Sequence, residues 1–537
     1  MKAMKDSGTQ ARSAMRAPAI AGARFAEPLL LLVSLLLSVL GAIIGMQLIV
    51  TLGISANTSI IGALIAIVFS RIPLELARRF RALERQNLVQ TAISSATFGA
   101  ANSLMIPIGV PYAMGMPHLA MPMLIGALAA MLVDGAMLYF LFGSRTFPAT
   151  GSWPAGVATA EAIWAGDQGG RKAAFLGLGV LVGVGGAVFG VPMSAFGAAF
   201  LGNIAALSML GVGLLLRGYS VALTGVDIAK AYIPHGIMIG AGTVAMLQVG
   251  REIWRSRRPA NLEAGMEAAA SGRAGRVLLG GYVIYALIAL LIVYLADGFE
   301  NMSTGMLIAF VLYAAFAAYV HELIVGIAAM HSGWFPAFAV ALITLTIGIV
   351  IGFPPTALAV LAGFSAATGP AFADMGYDLK TGYLLRGEGR DPELERAGRR
   401  QQLFAALAGF LVAGAAVFLF SKGFFARDML PPVDRVYAAT IKAGTSWEIV
   451  RNLALWAVPG AILQWVGGAK RQLGVLLATG LLLTSPLAGF AVLAGLLLRV
   501  IIRRRRGSEP PELSAFAGGV IAGDAIFTFG RSFIRLR

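Results

Sequence analysis

The side chains of this sequence that could do chemistry are few, and most are carboxylates. The densest group is Asp374-Met375-Gly376-Tyr377-Asp378-Leu379-Lys380-Thr381-Gly382-Tyr383, which sets two carboxylates, a lysine and two phenols directly after the apolar run Phe353 to Phe372. Asp134, Glu161, Asp227, Asp524 and the adjacent pair His321-Glu322 stand in or beside other apolar stretches, and Asn102 lies in a run of small residues. An ionisable group inside a membrane segment is costly and by default marks an ion or substrate path. A buried carboxyl can also hold a proton near neutral pH, as a proton-coupling group must.

Each candidate has a structural alternative. Asp378 and Lys380 can form an interfacial ion pair or a helix cap. His321-Glu322 can sit between packed helices, since adjacent helical residues point in different directions. Asp134 and Asp524 can bond a neighbouring backbone, and Glu161 can stand at an aqueous mouth, where its charge costs little.

Other chemistry is unsupported. No Gly-x-x-x-x-Gly-Lys-Ser/Thr string occurs, and Lys380-Thr381 follows Asp378-Leu379, which cannot cradle phosphate. A solute moved uphill by this chain alone therefore needs an ion gradient. The four histidines, with no cysteine in the chain, lack metal-ligand spacing, so neither a metal nor a cofactor is expected. No Gly-x-Ser-x-Gly or His-Glu-x-x-His string argues for an enzyme.

The elements that must position these residues are membrane helices. Of 537 residues, 58% are apolar and 13% charged, with a mean hydropathy of +0.80, whereas soluble proteins have about 25% charged residues. At roughly 20 residues per span, the apolar runs give an all-α polytopic membrane protein of about 14 to 16 transmembrane or re-entrant helices. The net charge of +16 lies in short basic clusters between apolar runs, as cytoplasmic loops require, so nucleic acid is not an expected partner.

Residues 1–26 read as a cytoplasmic tail before an uncleaved span, Leu29–Thr51, with the N-terminus inside. A first half, 27–250, leads through a basic cytoplasmic linker, 251–276, to a second half, 277–537. Leu88 to Pro107 is rich in small and hydroxyl residues that allow close helix packing. Pro107, Pro111, Pro117 and Pro122 then predict a discontinuity facing substrate near 107–122, although an outer loop fits the prolines equally. Phe147 to Asp167 suits a re-entrant segment. Spans are expected at Ala173–Phe196 and Phe200–Leu216, then a polar interruption from Arg217 to Lys230. Asp297 to Ser303 reads as an external turn, and the segment with Pro431-Pro432 as external too. Gln472–Ile502 is one kinked span or a hairpin. A faint echo between Arg85-Gln86-Asn87-Leu88 and Arg400-Gln401-Gln402-Leu403 suggests two related halves with discontinuous helices, a common transporter plan.

Three stretches carry a family resemblance in the same order along the chain. Asp378-Leu379-Lys380-Thr381-Gly382-Tyr383, Arg85-Gln86-Asn87-Leu88-Val89-Gln90-Thr91 and Trp153-Pro154-Ala155-Gly156-Val157-Ala158-Thr159-Ala160-Glu161 resemble segments of the oligopeptide transporter (OPT) family, closest to its yellow stripe-like branch. The resemblance spans about Leu29 to the C-terminus. It implies a proton-coupled secondary transporter in the plasma membrane, a bacterial inner membrane by composition. The implied substrates are oligopeptides or peptide-like metal chelates, and the implied assembly is a homodimer. It also favours a cavity role for Asp378 and Lys380, with Asp374, Tyr383, Asn102, Asp134, Glu161, Glu322 and His321 as further candidates for the substrate or proton path. Where the peptide branch has Lys-Ile-Pro-Pro-Arg and the yellow stripe-like branch Ser-Pro-Arg, this chain has Arg386-Gly387-Glu388-Gly389-Arg390, so neither branch hands down its substrate. Rival readings are a transporter of another small solute, an uncoupled channel or receptor, and a membrane-embedded enzyme.

Overall fold

The computed structural model describes residues 23–53, 58–71, 75–144, 146–167, 171–256, 264–297, 302–332, 337–443, 447–483, 485–510 and 512–534. Expectations for the tail at 1–22, the middle of the linker at 257–263 and the turn at 298–301 lie outside the described residues. The protein is an all-α polytopic membrane protein. Among the described residues nine helices are long and apolar enough to cross a bilayer, and six shorter apolar helices accompany them. The one β-type contact among them is an isolated bridge between Phe142 and Phe147.

The first helix, α1 (Pro28–Leu52), shows why these segments form. It is almost uniformly apolar, starts at a proline whose fixed φ suits the first turn, and ends at Gly53, whose φ of 62° lets its N–H return to the Ile49 carbonyl. At 1.5 Å per residue it is about 37 Å long, enough for a ~30 Å hydrocarbon core. Leu32, Leu36 and Val39 are exposed on it, as a lipid-facing side must be.

Along the chain follow α2 (Thr58–Arg71), α3 (Leu83–Phe98), a π-helical segment Gly99–Met105, α4 (Ile106–Ala113), α5 (Ala120–Leu141), α6 (Pro154–Asp167), α7 (Arg171–Val188), α8 (Met193–Leu201), α9 (Ile204–Thr224) and α10 (Ile233–Ser256). Then come α11 (Ala264–Leu295), α12 (Thr304–Ser332), α13 (Ala337–Ile351), α14 (Pro355–Ala367), α15 (Pro370–Leu385), α16 (Pro392–Phe425), α17 (Pro432–Ala443), α18 (Trp447–Arg471), α19 (Leu473–Leu482), α20 (Pro486–Arg506) and α21 (Glu512–Ile534).

Helices α7–α10 pack on α18–α21 through reciprocal glycine contacts. Gly183 lies against the Val520 carbonyl and Gly523 against that of Val180; Gly240 meets Ala457 and Gly460 meets Ile237 in the same way. Where lipid removes the usual hydrophobic drive between helices, such close backbone approach supplies dispersion contacts. The remaining helices enclose two central segments, Leu83–Ala113 and Pro355–Leu385, each 31 residues long and 94% buried over its most apolar window. Charge could stand in either segment only by being surrounded with protein.

The structure corrects some sequence expectations and sharpens others. The discontinuity predicted at 107–122 is narrower than that stretch: the chain stays helical through Pro107, which takes an early position in α4 after the widened π turn, and leaves the helix around Met114–Met116. A π turn absorbs an extra residue, so the prolines need not unwind the backbone. The segment with Pro431-Pro432 is packed into the bundle. It starts α17, whose Pro432, Val433, Val436, Tyr437 and Ile441 are buried. The polar interruption at Arg217–Lys230 is largely helical, because α9 runs to Thr224 and Arg217 reaches Asp227 at 2.7 Å. The span expected to reach Phe196 stops at Val188, before α8. The linker drawn at 251–276 is mostly helix, with α10 ending at Ser256 and α11 starting at Ala264. Gln472–Ile502 is two helices, α19 and α20, divided near 483–485.

Candidate functional site

The polar centre is built where α3 meets α15. On α3, Gln90 and Ser94 are four residues apart and so share a face; on α15, Asp374 and Asp378 do the same. The two pairs meet in antiparallel register. Ser94 Oγ donates to Asp374 Oδ1 at 2.8 Å, and Gln90 Nε2 donates to Asp378 Oδ1 at 2.6 Å. Ser59 of α2 closes the group, 3.0 Å from Ser94 Oγ and 3.4 and 3.5 Å from the two carboxylates. Both aspartates are wholly buried. Two carboxylates on one helical face repel each other when both are ionised, so this group is suited to hold at least one positive charge, a proton or a cationic ligand group.

A second acidic group lies at the break between α14 and α15. Thr368 is extended and Gly369 has a φ of +94°, a conformation that suits glycine. The break exposes backbone groups that a continuous helix would pair, and neighbouring helices satisfy them. The Gly369 N–H donates to Asp134 Oδ2 of α5 at 2.6 Å, and the Phe372 N–H also reaches that carboxyl. Asp134 therefore caps α15 from another helix. Tyr285 of α11 donates to Asp134 Oδ1 at 2.5 Å and also approaches Glu322 of α12, so the two carboxyls flank one hydroxyl. Next to Glu322, His321 sets Nδ1 against the Thr368 carbonyl and Nε2 at 2.6 Å from the Ala337 carbonyl. Thr368 Oγ1 donates to Ala318 O at 2.9 Å.

Lys380 does not pair with Asp378. Its Nζ donates to the Ala149 carbonyl at 2.9 Å and lies 5.2 Å from the centre of the half-buried Tyr383 ring. One turn on, Arg386 binds Glu395 through Nε at 2.8 Å and Gln402 Oε1 through Nη1 at 2.9 Å, and Gln402 Nε2 donates to the Asp378 carbonyl at 2.6 Å. This network fixes α15 to α16. The predicted residues thus divide. Asp374, Asp378, Asp134, Glu322 and His321 gather along α15 and its break, Lys380 and Tyr383 stand farther along the same helix, Asn102 lies in the π segment, and Glu161 is exposed on α6.

Sequence reading missed Gln90, Ser94, Ser59, Tyr285 and Gln402, uncharged groups whose importance depends on what they face. It also missed Asp434 of α17, buried with no hydrogen bond to either oxygen and pressed against the backbone of Gly109. A signal for Asp434 was present: a carboxylate in the first turn of a segment whose apolar residues repeat at helical spacing. Among the described residues, no group of three or more histidine and acidic side chains could hold a metal ion.

No curated protein and no solved structure matches this chain. The model of the family described as OPT oligopeptide transporter protein matches residues 29–254 and 221–535, nearly the whole sequence. A polytopic helical protein with a buried polar centre in its bundle fits that match, and the chain belongs to the OPT oligopeptide transporter family.

Proposed function

We propose that this protein imports oligopeptides or peptide-like metal chelates by symport with protons, with the α3/α15 centre and the α14–α15 break as the coupling path. The observation that carries the proposal is the stacking of two buried carboxyl pairs, Asp374 with Asp378 and Asp134 with Glu322, along one interrupted helix. Paired carboxyls can exchange protons between the membrane faces, and a helix break supplies backbone groups for a substrate's amine and carboxylate. The mixed polarity of Asp374, Asp378, Lys380, Tyr383 and Asn102 suits zwitterionic ligands. The same reading places the protein in a bacterial inner membrane as a homodimer, with the N-terminus in the cytoplasm. It also keeps the halves 27–250 and 277–537 as related units.

Proteoliposomes with an alkaline lumen, offered a di- to hexapeptide pool and ferric chelates, test the proposal. Accumulation that disappears when the gradient is collapsed supports symport and names the substrate class. Entry that only equilibrates supports an uncoupled channel. Accumulation without dependence on the proton gradient overturns proton coupling.

A further inference from the structure

His321 has an arrangement that a neutral imidazole cannot satisfy. Its two ring nitrogens face two backbone carbonyls, Thr368 O at the break and Ala337 O at the start of α13. A carbonyl only accepts, and a neutral ring has one N–H, so one nitrogen would direct a lone pair at a carbonyl lone pair. An imidazolium donates at both positions. We infer that His321 is a proton-holding latch, whose doubly protonated ring ties α12 to the α14–α15 break and to α13.

Burial opposes a charged ring, so compensating charge must be close. Glu322 is adjacent on α12, Asp134 of α5 reaches the same Gly369 whose other side faces His321, and Tyr285 of α11 lies between the two carboxyls. One proton shared by those carboxyls leaves a single negative charge to balance the ring. Helices α13 and α14 carry no ionisable residue. On α15, Asp374, Asp378 and Lys380 are turned to Ser94, Gln90 and Ala149. Glu161 of α6 is exposed, and His235 of α10 packs beside Tyr232. Loss of the ring proton would release one carbonyl and loosen the break. That consequence for transport rests on the proton-driven reading above; the protonation state does not.

The test is ¹⁵N NMR of the full-length protein in lipid bilayers at neutral pH, with labelled histidine. The His321 signals are assigned both by difference against His321→Asn and in a His118→Gln, His235→Gln, His331→Gln background. Both ring nitrogens should be protonated. In the Asp134→Asn, Glu322→Gln double variant, His321 should become a neutral tautomer with one bare nitrogen. A bare nitrogen in the unmodified protein overturns the latch. Persistence of the imidazolium in the double variant overturns the assigned counter-charge. Neither readout uses uptake, so a neutral His321 in a protein that still accumulates peptide sinks this inference and leaves the transport reading intact.

Discussion

The two central segments, Leu83–Ala113 and Pro355–Leu385, have the same length and the same burial, yet meet the cost of buried backbone differently. The first remains helical, using a π segment to accommodate its prolines, and fills its polar face with amides and hydroxyls: Gln86, Asn87, Gln90, Thr91, Ser94 and Ser95. The second breaks at Thr368–Gly369, gives its freed carbonyl to His321 and its freed N–H to Asp134, and carries the carboxylates. The contrast teaches a division of labour. Neutral donors on a continuous helix can hold charge without moving, whereas a broken helix whose loose ends are tied by titratable groups can change when those groups change charge.

If that division is right, removing charge from α15 does more than removing a donor from α3. The double variant Asp374→Asn, Asp378→Asn should lower gradient-driven accumulation by roughly tenfold or more, the scale of an ordinary coupling free energy, while the protein still runs as a folded species in size exclusion. Full accumulation in a folded double variant would remove α15 from the coupling path. Arg386→Ala leaves Glu395, 11% exposed at its side chain, without its cation. It should destabilise the protein by about 3–5 kcal/mol, read as a lower denaturant midpoint in detergent.

The breaks separate next. Gly369→Ala forces a side chain into a φ of +94° and against Val325 and His321, and should cost about 1–3 kcal/mol. Gly99→Ala, in the π segment at a φ of −59°, meets chiefly the flexible Met131 side chain and gains helix propensity. Its net effect should stay within about 1 kcal/mol. Thermal unfolding of the two variants side by side decides this, and equal losses would erase the distinction between bend and break. The smallest effect is expected from Ser94→Ala, which deletes the bond to Asp374 but leaves Ser59 at that carboxylate. A loss of about 1 kcal/mol with accumulation largely kept would agree with a holding role. Loss of accumulation on the scale of the aspartate variant would place the α3 hydroxyls in the path itself.

How much was readable in advance can be judged from single residues. Asp374 and Asp378 were conspicuous because charge is rare in this chain, and their spacing of four placed them on one face. Their residue types alone left an interfacial pair or cap open, while the family resemblance favoured the interior, and α15 buries both. Lys380 beside Asp378 suggested an ion pair, but residues two apart on a helix diverge, and the lysine turns to Ala149. Pro431-Pro432 stood in a polar segment read as external, and its burial was not legible, since proline marks helix ends without saying whether the end is wet or buried.

The sequence alone determined the membrane, the all-helical class and the family, because each follows from quantities local to the chain: apolar run length, the scarcity of charge and short ordered motifs. Only the tertiary structure decided that Gln90 holds Asp378, that Asp134 caps a helix more than two hundred residues away, and that both nitrogens of His321 face carbonyls. Hydrophobic periodicity fixes which face of a helix is buried but not which helix covers it. In a bundle where nearly every face is apolar, that choice is made by glycine contacts and polar partners distant in sequence.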